Sequence, residues 1–313
     1  NISFKVDRSS IRQGNAVIAI KDVSDAILWS WHVWVTDEDI NNVIEITNHQ
    51  NVKYNFMPVN LGQCDGNTIT YEERSCKVKF IAGDQSKEIT IKQLANVIAT
   101  GSNAPFYQWG RKDPLYPSNG MGNTTKIWYD KEGIPSTANP MKGTFSAGND
   151  CIKNCILNPN LMHNRYNGDY TYYNLWSADN KTTSANDNPV NKTIYDPCPV
   201  GFKLPASNAF TGFTTTGESV SSSTQVNGTW SSSEKGWYFY TNSEKTQSIF
   251  FPALGYRSYS TMRPGSIGTQ GCFWSAHPVA KGNNYYLRTS SVDVQPTYMV
   301  DRGFGYALRP CQD

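Results

Sequence analysis

The chain has 313 residues, 28 Lys and Arg against 26 Asp and Glu, and a formal net charge of +2, with 13% aromatic and only 17% charged residues. That length holds one large domain or two ordinary ones with ample material for a core. A near-neutral chain without a basic run argues against nucleic acid as the main partner, because phosphate neutralisation needs clustered Lys and Arg. No apolar run approaches the roughly 18 residues of a membrane-spanning helix. The longest, AVIAI (16 to 20), is strand-sized. A mixture rich in Tyr, Trp, Ser, Thr, Asn and Gly suits β structure with long polar loops, as in exported proteins that contact other surfaces through aromatic side chains.

NISFKVDRSSIRQGNAVIAIKD (1 to 22) reads as two N-terminal strands around a turn at Gln13-Gly14-Asn15, either the last piece of an upstream domain or a lead-in to this one. It begins without Met or a signal peptide, as a fragment or processed form would. ILWSWHVWVTD (27 to 37) puts three tryptophans into six residues. Trp29, Trp31, Val33 and Val35 share one strand face, and Leu28, Ser30, His32 and Trp34 the other. Both faces are largely apolar, which predicts a central strand covered on both sides, with His32 a satisfied core residue. VKYNFMPVNLG (52 to 62) reads as a strand entering a loop. In SCKVKFIAGDQSKEITIKQ (75 to 93), Val78, Phe80, Ile89 and Ile91 are spaced by twos around a turn, which predicts a hairpin. If it pairs so, Cys64 and Cys76 flank a short loop and are candidates for a disulfide.

Residues around 115–195 have little periodicity and form a loop-rich insertion or packed lobe. Within it, NDCIKNCIL places Cys151 and Cys155 one helical turn apart, poor geometry for a mutual disulfide and good geometry for two thiols on one helix face. LPASNAFTGF (204 to 213) predicts a short helix with Ser207 at the N-cap. Short strands follow: GTWSSS, GWYFYT, QSIFFPALGYR, GCFWSA, NNYYLRT and GYALRPC. Seven cysteines are an odd number, and with no C-x-x-C and four scattered histidines nothing has zinc-ligand spacing, so no metal and no cofactor is expected.

Taken together, YDPCPVGFKLP (195 to 205), GTWSSS, FFPALGYR, GCFWSA and GFGYALRPC resemble the carboxy-terminal region of many cell-surface proteins of gut Bacteroidetes. That region is similar to the Fibrobacter major paralogous domain and to fimbrillin-associated domains, and more distantly to the C-type-lectin-like fold of formylglycine-generating enzymes. GNAVIAIKD, ILWSWHVWVTD, MPVNLG and YQWGRKDP follow the same family order, so the resemblance covers most of residues 14 to 311. It implies an α+β, strand-dominated, C-type-lectin-like fold over 23–313 with long loops and few short helices, in which GYALRPC closes the domain. It also makes Cys198 and Cys311 disulfide partners, closing a loop whose stabilisation reaches roughly 4–5 kcal/mol if unstrained.

The function implied is a non-enzymatic cell-surface adhesion protein, a fimbrial or tip-type subunit, extracellular and outer-membrane-associated or fimbrial. Its partners would be a host or microbial surface glycan or protein, with other pilus subunits. Trp237, Tyr238, Tyr240, Tyr256, Arg257, Tyr259, Tyr285 and Tyr286 are the candidate ligand-binding residues, because Tyr and Trp stack on sugars and proteins at low entropic cost. The carboxylate and amide motifs of calcium-dependent lectins are missing; Gln295-Pro296-Thr297 comes nearest, and Asp37, Glu38 and Asp39 read as a solvated turn. Two alternatives stand beside adhesion. One is a structural pilus component that adds strands to its neighbours. The other is an oxidase resembling formylglycine-generating enzymes, for which Asp301-Arg302-Gly303 and Arg309 supply the late arginines but neither Cys272 nor Cys311 stands in a matching motif. No catalytic residue is assigned.

Overall fold

The computed structural model describes residues 8, 11, 13–64, 68–99, 104–115, 128–129, 135–136, 143–144, 148–163, 172–280 and 282–313. The expected strand NISFKVD, and residues 116–127, 130–134, 137–142, 145–147 and 164–171 of the expected insertion, lie outside these. The described chain is strand-dominated with few helices, as the composition predicts: one α-helix, Gly148–Leu157, and short 3-10 turns at Ser207–Phe213 and Ser223–Gln225.

Four sheets build the body. Phe202–Lys203, Cys311–Gln312, Lys53–Phe56 and Ile44–Thr47 lie side by side in that order, and Gly228–Ser231, Gly236–Tyr240 and Ser248–Pro252 form a three-stranded meander. Pro264–Gly265, Tyr256–Arg257, Gly305–Tyr306 and Tyr107–Gln108 make the third sheet, and Gly271–Pro278, Asn283–Thr289 and Val294–Asp301 the fourth. Gly271–Pro278 is the pivot. All eight of its residues are buried, and alternation sends Phe273 into a cluster with Phe56, Phe213, Phe239 and Phe251. It sends Cys272, Trp274 and Ala276 into a second cluster with Tyr107, Trp109, Trp176 and Tyr306.

Four expectations meet these elements, and three of them are corrected. The tryptophan strand, Ile27–Val35, is not central: among the described residues it pairs only with Gly14–Lys21, through a turn at Asp22–Ala26. One face meets the body, where Ser30 Oγ donates to Asp113 Oδ1 at 2.9 Å and Trp34 Nε1 to the Gln63 carbonyl at 2.9 Å. The other carries Trp31, 40% exposed, opposite Ile18. His32 is satisfied as expected, within hydrogen-bond distance of Asn15 Oδ1 (2.7 Å) and the Tyr107 hydroxyl (2.9 Å). Burial pushes its pKa down to about 4 against a smaller upward pull from Asp113.

Second, Arg74–Ala82 and Gln85–Gln93 form the expected hairpin, with Val78 opposite Ile89 and Cys76 opposite Ile91. Gly83, at φ +59°, makes the two-residue turn whose twist suits the strands. Its apolar stripe nevertheless faces outward, with Phe80 57% and Ile91 52% exposed. Third, Ser207 is not an N-cap. The 3-10 turn starts on it, with Ala206 in the cap position, and Ser207 Oγ accepts from the Asn186 backbone N–H at 2.8 Å instead. Fourth, neither expected disulfide forms. Cys198 and Cys311 are both buried and lie within electrostatic reach of each other, yet their sulfurs are not bridged. Cys64 Sγ takes a hydrogen bond from Asn15 Nδ2 at 3.2 Å, while Cys76 sits exposed on the outer hairpin.

Candidate functional site

Lys53–Phe56 is a four-residue strand whose alternation turns Tyr54 and Phe56 toward the core and Lys53 and Asn55 away. Cys311–Gln312 pairs with it at Phe56, and Phe202–Lys203 flanks Cys311–Gln312 on the far side. The loop carrying Asp187, Asn188 and Pro189 covers the end of this sheet. Together they enclose a cleft of about 250 Å³. Pockets for drug-sized ligands run from roughly 300 to 1,000 Å³, so this one is scaled to a single small polar moiety.

Asp187 organises the cleft. Its carboxylate accepts from Asn48 Nδ2 at 2.6 Å, the Tyr54 hydroxyl at 2.7 Å and Asn208 Nδ2 at 2.9 Å, which joins the loop to the sheet and to the Ser207–Phe213 turn. Burial, and then the Asp187 hydrogen bond and charge, push the Tyr54 phenol well above its ordinary pKa, so it stays a neutral donor. Asn55 Nδ2 reaches Gln312 Oε1 at 3.4 Å, and Lys53 is drawn to Glu45 at 2.8 Å, leaving Lys203 as the cation facing the cleft without an ion pair among the described residues. Cys311 also lines it, its thiol pushed up to about 12 chiefly by burial. Amides of Asn55, Asn188 and Gln312, the carboxylates of Asp187 and Asp313, the Lys203 ammonium and one phenol ring thus share a small concave space. Mixed donors and acceptors beside an aromatic edge are suited to hydrogen-bonding a polyhydroxylated group.

The eight residues expected to contact a ligand do not form one site. In Gly236–Tyr240, alternation buries Trp237 with Phe239, and Trp237 Nε1 donates to the Ser290 carbonyl at 2.7 Å. Arg257 is buried and donates through Nη1 to the Met262 carbonyl at 2.6 Å. Tyr285 donates to the Thr183 carbonyl at 3.3 Å, and Tyr286 is packed between Trp274 and Tyr306, with ring centroids 5.7 and 4.6 Å away. These four are core residues. Tyr238 and Tyr240 lie half-buried on the outer face of the meander, the Tyr238 hydroxyl on Glu234 at 2.8 Å. Tyr256 and Tyr259 pack edge-on against Phe304 at 5.6 and 4.8 Å, on a different sheet.

The late arginines are framework. Arg309 donates to Asn60 Oδ1 (2.7 Å) and to the carbonyls of Met57 (3.2 Å), Pro58 (2.8 Å) and Phe250 (2.7 Å). Arg302 lies 4.1 Å over the Trp109 ring and donates to the Tyr172 carbonyl at 2.9 Å. Ser207 and His277 meet at 3.2 Å, but both are buried and Ser207 also donates to the Asn186 carbonyl, so the pair fastens the 184–188 loop. Among the described residues, no group of three or more His, Cys, Asp or Glu is placed to hold a metal ion, and Asp37, Glu38 and Asp39 are solvent-facing. No helix among the described residues is long and apolar enough to cross a membrane.

Sequence reasoning missed the cleft because its members stand far apart, at 54–55, 187–188, 203 and 312. The one local signal was Asp187-Asn188-Pro189, a loop-forming run inside an aperiodic segment. No family model, curated protein or solved structure matches the chain.

Proposed function

We propose that this protein is a non-enzymatic binding module of the cell surface, of the adhesin or tip-subunit kind, built on a C-type-lectin-like scaffold. The single observation that carries this reading is the polar cleft of about 250 Å³ around Asp187, with amides, one ammonium and the Tyr54 ring arranged for hydrogen bonding. The closing Cys311–Gln312 strand, laid between Phe202–Lys203 and Lys53–Phe56, supports the lectin-like architecture. The expected ligand class is a surface glycan, recognised one sugar at a time, and the protein acts outside the cell.

A glycan array probed with the wild type and with Asn55→Ala and Lys203→Ala, with and without calcium, tests it. Both side chains are partly exposed, so each change should cost less than about 1 kcal/mol of stability, and glycan binding should fall while the fold persists. Binding that survives both substitutions removes the cleft from the argument, and a blank array removes the glycan.

A second reading, a structural pilus or scaffold component, is favoured by a different observation. Among the described residues, the Arg74–Gln93 hairpin has two open strand edges, with an outward apolar stripe of the sort that β-augmentation uses. Concentration-dependent assembly in sedimentation, lost on Phe80→Lys, would favour it.

A further inference from the structure

Five of the seven cysteines fall into two chemical classes. Burial in apolar surroundings pushes the thiols of Cys272 and Cys311 up to about 12 and raises that of Cys198, which makes them inert. The helix Gly148–Leu157 builds a different environment. It sets Cys151 and Cys155 one turn apart on one face, with Cys151 2% exposed and Cys155 partly accessible. The Cys155 sulfur accepts hydrogen bonds from the Cys151 thiol and from His163, on the short strand Met162–His163 that follows the helix.

Arg111 lies within electrostatic reach of Cys155 and is 2% exposed. Its Nη atoms donate to Gln108 Oε1 at 3.1 Å and to the carbonyls of Pro159 at 2.5 Å and Leu161, which anchors it in the loop that ends the helix. Its buried Nε has no hydrogen-bond partner among the described residues. Both cysteines, Arg111 and Lys112 line a mostly apolar cavity of about 30 Å³, walled by Trp109 and Leu175. Two further cations line the same cavity: Lys112, ion-paired with Asp113 at 2.6 Å and within electrostatic reach of Cys155, and Arg302, which lies over the Trp109 ring. The hydrogen bond from Cys151, then the charge of Arg111 and the contact with His163, hold the Cys155 thiol well below its ordinary pKa against the opposing effect of burial.

We propose that Cys155 is a nucleophilic thiolate, held by Cys151, His163 and Arg111, that undergoes exchange with low-molecular-weight disulfides. The geometry is that of reactive cysteines in general: an electropositive, partly exposed pocket with donors aimed at sulfur. The thiolate attacks one sulfur of RS–SR, a Cys155–S–SR bond forms as the original S–S bond breaks, and RS⁻ leaves with the electron pair and takes a proton from water. The disulfide is the only oxidant the step requires. The site is separate from the Asp187 cleft and does not depend on it.

The test is peptide-resolved mass spectrometry of the native protein, with iodoacetamide across pH 5.5–8.5 and with oxidised glutathione at neutral pH. Trypsin cleavage after Lys153 puts Cys151 and Cys155 on different peptides, and exposed Cys76 is the internal reference. At pH 6 Cys155 should alkylate about tenfold faster than Cys76, with a rate that levels off below neutral pH, and it should be the first cysteine to carry glutathione. Cys151→Ser, which keeps the packing, should move the Cys155 profile to higher pH. Labelling of Cys155 no faster than Cys76 at pH 6, labelling only in denaturant, or a profile unmoved by Cys151→Ser overturns the proposal.

Discussion

Two strands of this molecule read alike and sit in opposite circumstances. Ile27–Val35 (ILWSWHVWV) and Gly271–Pro278 (GCFWSAHP) each carry tryptophan and one histidine and are apolar at both alternating positions. The second is buried throughout, because both of its edges are satisfied. Asn283–Thr289 pairs on one side, and on the other Ala307 exchanges backbone hydrogen bonds with Cys272 and Trp274 at 3.1 Å. The first has one partner strand, and its outward row of Trp31 and Ile18 faces solvent. Apolar alternation therefore reports that a strand can be covered, and the packing of the remaining chain decides whether it is.

The contrast is sharpest for the tryptophans. Trp274 is fully buried, stacks near Tyr306 at 4.5 Å and donates to the Tyr107 carbonyl at 2.8 Å. Trp274→Ala should cost about 3–5 kcal/mol, read as a lowered midpoint in urea unfolding.

A smaller effect comes from the two histidines. His32 and His277 both have pKa values pushed down to about 4 by burial, whereas an unfolded chain protonates near 6.5. The unfolded state then binds more protons between these limits, so stability is complete above about 6.5 and is lost as pH falls toward 4. His277→Gln and His32→Gln should each flatten the urea midpoint against pH, and to a similar extent, because burial pushes both pKa values down to about 4. Flattening by His277→Gln alone would mean that the His32 ring is solvated despite its place in the tryptophan hairpin.

Trp31→Ala should cost no more than about 1 kcal/mol, and a loss equal to that of Trp274→Ala would erase the distinction between the strands. The smallest change is expected on the outer hairpin. Ile91→Thr should move stability by about 0.5 kcal/mol or less while reducing self-association in sedimentation.

Much of the fold was legible. The Arg74–Gln93 hairpin, the Asn283–Thr289 strand, the helical face carrying Cys151 and Cys155, and the satisfied role of His32 all follow from local periodicity. Val294–Asp301 was missed because Pro296 and the polar run around it mask the alternation. The candidate site was barely legible. Trp237, Arg257, Tyr285 and Tyr286 are conspicuous residue types placed inward by strand parity, while Asn55, Asn188 and Gln312 are ordinary residues made important by convergence.

The sequence by itself determined the strand-rich class, the near-neutral charge and the local turns, since each depends on neighbours within a few positions. Tertiary structure alone decided which apolar strand is central and how Asp187 draws Tyr54 and Asn208 together. Those outcomes are set by contacts between residues tens to hundreds of positions apart, and local pattern carries no record of such contacts.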